Sequence, residues 1–141
     1  RFDTYPKRRG LTRIKELLAA GVNVSLGTDC ISDPWDPFGT GNMLHVANMA
    51  LHLAHMTARG EIPLGVAMVT ENGARTLGLG DGYGIAEGRP ASFIIVDGAD
   101  PWELMGRMPV ARHVFRKGRQ IAVTHPARTE LRLESSAGLI T

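Results

Sequence analysis

The sequence predicts an α/β chain that becomes mostly β beyond about residue 80, and three observations carry that prediction. A helical apolar pattern from Leu11 to Ala20 passes through Gly21 into the loosely alternating stretch "VNVSLG", Val22 to Gly27, which is a helix, a tight turn and a strand. A longer helical segment spans Asn42 to Ala58, and two shorter helices follow from Leu64 to Thr70 and from Glu71 to Leu77. After "GLGDGYG" the composition shifts to short β-rich runs.

Each element has a local reason. In the first helix Leu11, Ile14, Leu17 and Leu18 recur at helical spacing, Thr12 is a candidate N-cap, and Gly21 suits the left-handed position that ends a helix. The loop from Thr28 to Thr40 holds Pro34, Pro37 and Gly39, too many breakers for regular structure. In the long helix Val46, Ala47, Ala50, Leu51, Leu53 and Ala54 fill one arc, and its seam at Ala47, Ala50 and Ala54 allows a neighbouring element close. His45, Asn48, His52 and His55 form a polar stripe opposite. Farther on, "ASFIIVDG", "ARHVFRKGRQIAV" and the run up to Leu133 read as short strands, with Lys117-Gly118 in a hairpin turn and "DPWELMGR" as one helical turn between them. Two or three short strands need a partner sheet, and one αβ unit cannot close a parallel sheet. The chain is therefore expected to be the C-terminal portion of a longer protein.

Composition narrows the function. With 43 % hydrophobic and 21 % charged residues in 141, the chain can bury a core. No apolar run approaches the roughly 20 residues that span a bilayer, and "RFDTYPKRRG" lacks the order of a secretory signal. A single cysteine forms no intrachain disulfide and, with six methionines, suits the reducing cytoplasm. The zinc nucleobase deaminases of the C-x-x-C type are excluded by that count. Basic runs such as Arg116-Lys117-Gly118-Arg119 read as solvated faces; no aromatic interleaves with them as a nucleic-acid platform requires, although a non-catalytic binding module using them is the rival class.

Among residues able to do chemistry, Asp29 stands where a strand opens into a loop, the place where α/β folds assemble active sites. It serves there either as a turn cap or as a ligand or catalytic group, and the pattern leaves both open. Trp35 suits the wall of a pocket for a flat ligand, or packs the loop. The histidine stripe lacks the H-E-x-x-H order and any carboxylate on its face, which favours a solvated or subunit-facing stripe over a metal site. Cys30 has no histidine close in sequence and reads as pocket-lining rather than nucleophilic. The glycines of "GLGDGYG" fail as a phosphate loop and are turn glycines.

Taken together, Arg1 to Leu44, with "RFDTYPKRRG" and the "DPW-x-P-x-G-x-x-NML" frame from Asp33 to Leu44, closely resembles the late part of bacterial cytosine deaminases of the amidohydrolase superfamily. "NGARTLGL", Asn72 to Leu79, and "YGIAEGRPASFIIVD", Tyr83 to Asp97, resemble that group's post-barrel helix and the entry to its small β domain. The resemblance implies the C-terminal part of a (β/α)8 TIM barrel: residues 1–79 as its last strand and C-terminal helices, and residues 80–141 as the C-terminal portion of a small β-sandwich domain. It implies that Asp29 is a metal ligand and proton shuttle, that Trp35 and Cys30 line the substrate pocket, and that the cofactor is a divalent metal ion, iron or zinc. The implied substrate is cytosine or a closely related nucleobase-like small molecule, deaminated to a uracil-type product and ammonia. No nucleic-acid or membrane partner is implied, and the full-length protein is expected to be a homo-oligomer. Thr28-Asp29-Cys30 stands where the group commonly has His-Asp-Asp, and Ser92 where it usually has Asp or Asn, so isocytosine, creatinine and triazine rings are the alternative substrates. The group's H-x-H pair, further histidines and acid Glu have no counterpart here, and the isolated chain is expected to be inert and to expose apolar surface.

Overall fold

The computed structural model describes residues 10–34 and 36–131. Five short helices and one three-stranded sheet follow in the order α1 (Ile14–Ala19), α2 (Met43–Leu53), α3 (Ile62–Val69), α4 (Glu71–Thr76), β1 (Phe93–Ile95), α5 (Pro101–Arg107), β2 (His113–Arg116) and β3 (Arg119–Val123).

α1 has no side-chain cap at Arg13, and Thr12 contributes only its carbonyl, which accepts the Ile14 N–H at 2.8 Å. Its C-terminus follows the sequence expectation. Gly21 adopts φ +75°, and the Gly21 and Val22 amides donate to Leu18 O and Leu17 O, both at 3.0 Å, closing the last turn. α2 begins at the Asn42 cap, whose side chain accepts the Leu44 N–H at 3.0 Å. It stops at Leu53, five residues short of the expected Ala58. There His55 takes φ +52° and the Met56 amide donates to Leu51 O at 2.7 Å, the same terminating motif without a glycine. Burial of Met56, 1 % exposed, supplies the reason: ending the helix turns that side chain into the core.

That core gathers Ile14, Val24, Ala47, Ala50, Leu51, Met56, Ile62, Met68 and Met105. Ala47 and Ala50 are buried, as the alanine seam predicts. α3 starts two residues before the expected Leu64, with Pro63 tolerated in its first turn where no helical N–H is needed. α3 lies against α2 so closely that a Cβ on Gly65 would sit 2.6 Å from Leu51 Cδ1. α5 packs on both helices. Asp100 caps it through the Glu103 amide at 2.8 Å, with Pro101 at its start. Its last carbonyls have no helical donors, and α2 supplies them: Asn48 Nδ2 donates to Met105 O at 2.9 Å, and Asn42 Nδ2 reaches Met108 O at 3.3 Å and Pro109 O at 3.4 Å.

The sheet is antiparallel throughout, in the order β1-β2-β3. Phe93 and Phe115 face each other across β1 and β2 with ring centroids 4.8 Å apart. Lys117 and Gly118 form the expected tight hairpin, both with positive φ (47° and 79°). Between Gly78 and Gly84 the glycine-rich stretch is turn structure with a 3-10 turn at Gly80–Gly82, as expected.

Two strand expectations are corrected. Val22 to Gly27 forms no strand. A strand exists only as one edge of a ladder, and here the helices take the backbone groups: Leu26 N–H donates to Met68 O at 3.0 Å, and Val24 O accepts from Asn72 Nδ2 at 2.7 Å. Beyond Val123 the Thr124 amide still donates to Arg112 O at 2.8 Å, and no strand forms from there to residue 131, where the chain is exposed; the rest of the run to Leu133 lies outside the described residues. Large apolar side chains do lie open, with Phe38 at 89 %, Ile85 at 88 % and Leu77 at 73 % exposure.

Because Leu51 is held on both sides, we expect Gly65→Ala to destabilise the fold by about 1–3 kcal/mol, the usual cost of overpacking a filled contact. A urea midpoint unchanged from the parent would show that α3 can ride away from α2 freely.

Candidate functional site

The segment from Val22 to Gly27 delivers the chain from α1 to Asp29, three residues after the Leu26 amide anchored on α3. Asp29 is exposed and Cys30 half-buried beside it. The loop that follows, rich in breakers, is braced from within. Thr28 Oγ1 donates to Cys30 O at 3.0 Å, and Ser32 Oγ donates to Gly39 O at 2.9 Å across the loop's base. The Asp36 and Gly39 amides donate to Asp33 Oδ1 and Asp36 O at 2.9 and 3.2 Å. Gly39 is required by proximity, since a Cβ there would lie 2.8 Å from both Cys30 O and Asp36 Oδ2.

Electrostatics at Cys30 are decided by its neighbours. Hydrogen bonding to the Asp29 carboxylate first, then to Asp33, with desolvation and the two negative charges adding, pushes the thiol up to about 12. At neutral pH it is an S–H donor, and a thiolate nucleophile is disfavoured. The structure thus brings Asp29 and Cys30 together and adds Asp33, which the sequence reading named only as the first residue of the DPW frame. The signal for it was present: Asp33 lies three residues beyond Cys30 in a loop that turns back on itself. Trp35, the other pocket residue expected from sequence, lies outside the described residues.

A cavity of about 540 Å³ opens along the loop's far side, lined by Thr28, Asp36, Phe38, Thr40 and His45 among others. His45 Nδ1 lies 3.3 Å from Thr40 Oγ1 at the start of α2. The sequence analysis placed His45 in the helix stripe with His52 and His55; these do not converge, for His52 Nδ1 is engaged with Asn48 O at 2.9 Å and His55 has left the helix.

Asp29 offers a hard carboxylate of the kind that iron and zinc accept. It fits such an ion as one ligand among several: among the described residues no three His, Cys, Asp or Glu side chains stand together to hold a metal. No helix of the described residues is long and apolar enough to cross a membrane.

Comparison with known proteins places this geometry. Residues 1–122 match the Amidohydrolase family. The crystal structure of 5-methylcytosine deaminase from Klebsiella pneumoniae liganded with 5-fluorocytosine superposes with a TM-score of 0.84 at 41 % identity, over 92 % of this chain and 32 % of that one. The pterin deaminase of Rhizobium rhizogenes is 33 % identical over 128 residues, 89 % of this chain and 28 % of the enzyme. The N-isopropylammelide isopropyl amidohydrolase of Pseudomonas sp. is 33 % identical over 91 residues, 64 % of this chain and 23 % of the enzyme. The chain therefore spans about a quarter to a third of the length of these relatives. With its mixed helices and small antiparallel sheet matching one portion of a TIM-barrel hydrolase, the chain belongs to the amidohydrolase family.

Proposed function

We propose that the protein containing this chain is a hydrolase that deaminates an amino-substituted heterocycle, and that the ring is cytosine or a close pyrimidine relative. The observation that carries the proposal is the 41 % identity and 0.84 TM-score to a 5-methylcytosine deaminase over nearly the whole chain, in a fold that leaves Asp29 exposed on a braced loop. In this reaction water adds to the ring carbon bearing the amino group, the exocyclic C–N bond breaks, and ammonia departs with a proton. Asp29 takes the proton from water as general base and returns it to the leaving nitrogen. A divalent iron or zinc ion, with Asp29 as one of its ligands, supplies Lewis acidity toward the water. Cys30 and Trp35 line the pocket, and the Cys30 S–H presents a weak donor where the resembled group commonly has a carboxylate.

In the same proposal residues 1–79 belong to the barrel and residues 80–141 to the small β domain, supported by a sheet that lies wholly beyond residue 92. A single cysteine suits a reducing cytoplasm. A homo-oligomer is proposed for the whole protein. A second reading, deamination or dealkylation of a triazine- or pterin-like ring, is favoured by one specific observation: Cys30 replaces a charged acceptor at the pocket, which changes the exocyclic group that is read.

Three outcomes are expected. In the whole protein Asp29→Asn should lower ammonia release at saturating substrate by about a hundredfold or more on every ring accepted, as loss of a general base does; steady-state rates near the parent's would remove Asp29 from the mechanism. On a panel of cytosine, 5-methylcytosine, isocytosine, creatinine, N-isopropylammelide and pterin, Cys30→Asp should shift the kcat/KM ratio toward cytosine by about tenfold. An unchanged rank order would show that residue 30 does not discriminate. The 141-residue chain alone should release neither ammonia nor, from N-isopropylammelide, isopropylamine, and measurable turnover would mean that its own residues suffice.

A further inference from the structure

We infer that Asn72 is a positioning residue for Asp29, acting through the segment Val22 to Gly27 that precedes it; this rests on the role proposed for Asp29. Asn72 is a buried polar side chain, 7 % exposed, at the second position of α4. A buried amide must satisfy both ends, and its partners fix its orientation. The Arg75 guanidinium only donates and lies against Asn72 Oδ1, so the NH2 end faces the Val24 carbonyl and donates to it at 2.7 Å.

The backbone of the same residue extends the grip. Asn72 O accepts from Asn23 Nδ2 at 3.1 Å and from Thr76 Oγ1 at 3.0 Å. Asn23 Nδ2 also reaches Thr76 Oγ1 at 3.0 Å, and the Thr76 and Ser25 hydroxyls lie 2.9 Å apart. Three consecutive residues, Asn23, Val24 and Ser25, are thus fastened to one turn of α4. Only Leu26, held by Met68 O, and then Gly27 and Thr28 separate them from Asp29.

The clamp acts on the segment that leads to Asp29, and in a barrel strand of the kind proposed for it a slip of one residue turns every side chain to the opposite face. Asn23 and Val24 held on α4 set which way Asp29 points. Helix stability alone does not call for this arrangement, since the Asn72 side chain makes no cap here.

The test compares variants of the whole protein by steady-state kinetics, thermal unfolding and amide hydrogen exchange over residues 22–28. Asn72→Asp keeps the Arg75 partner but sets oxygen against the Val24 carbonyl. Thr76→Val removes only the hydroxyl links to Ser25 and Asn23. Asp29→Asn and the core variant Met105→Ala are the references. We expect Asn72→Asp to lower kcat by about tenfold or more with KM within about twofold, in the range that supporting partners of a site usually show. Thr76→Val should move kcat the same way by less, and both should speed exchange in the segment. Met105→Ala should lower the unfolding midpoint and keep kcat. If Asn72→Asp and Thr76→Val keep the parent's kcat while Asp29→Asn is inactive, or if Met105→Ala loses as much kcat as they do, the positioning role is refuted and the role of Asp29 stands. If Asp29→Asn stays active, the proposed function of that residue falls and the positioning inference with it. Should Asn72→Asp not fold, Thr76→Val decides by the same criteria.

Discussion

The seat of α3 on Leu51 governs the position of everything nearer the loop. Leu51 is 3 % exposed and meets the bare backbone of Gly65 at a distance no Cβ would allow. The end of α2 reinforces the contact, because Leu51 O accepts the Met56 amide that terminates the helix and buries Met56. α3 in turn carries Met68, whose side chain is fully buried and whose carbonyl accepts the Leu26 N–H. A displacement of α3 from Leu51 would therefore be transmitted to the segment leading to Asp29. Few groups intervene: one helix, one carbonyl and one amide connect the centre of the core to the candidate site.

α2 has a second role that the core alone does not explain. Its asparagines at positions 42 and 48 project amide donors toward the C-terminus of α5, where carbonyls without helical partners need them. Met105 on the same helix enters the core, so α5 is held by apolar burial on one side and by side-chain hydrogen bonds at its end. Phe93 and Phe115, by contrast, stack within the sheet and stay out of the core cluster. α5, read from "DPWELMGR" as a single helical turn and running from Pro101 to Arg107, is the link between the helical layer and the strands on either side of it in the chain.

What the sequence made legible was local. Gly21 ends α1, Lys117-Gly118 turns the hairpin, and the alanine spacing marks the buried face of α2, because each depends on residues within one or two turns. The failures depended on distant partners. "VNVSLG" carries the β-branched residues of a strand, but its pairing groups were claimed by Met68 and Asn72, more than forty positions away. Likewise the end of α2 was not read at His55, because the apolar pattern continues past it; burial of the next side chain, Met56, ends the helix there. Asp29 was legible as a loop-opening carboxylate. The partners that set its surroundings, Asp33 and the Asn72 clamp, were not.

Cys30 sharpens the chemical assignment. A thiol between two carboxylates is held in its neutral form, because each acceptor stabilises S–H and each charge opposes the thiolate. Of the two adjacent candidates, the cysteine is thereby disfavoured as nucleophile, which accords with the base role proposed for Asp29. The thiol neighbours Asp29 on its loop side, and the hydrogen bonds to α4 hold the chain on its helix side. A group that must receive a proton from water gains from both, since general-base catalysis requires the acceptor oxygen within hydrogen-bond reach of a single point. The clamp and the thiol are thus two constraints on one side chain, arising from opposite directions along the sequence.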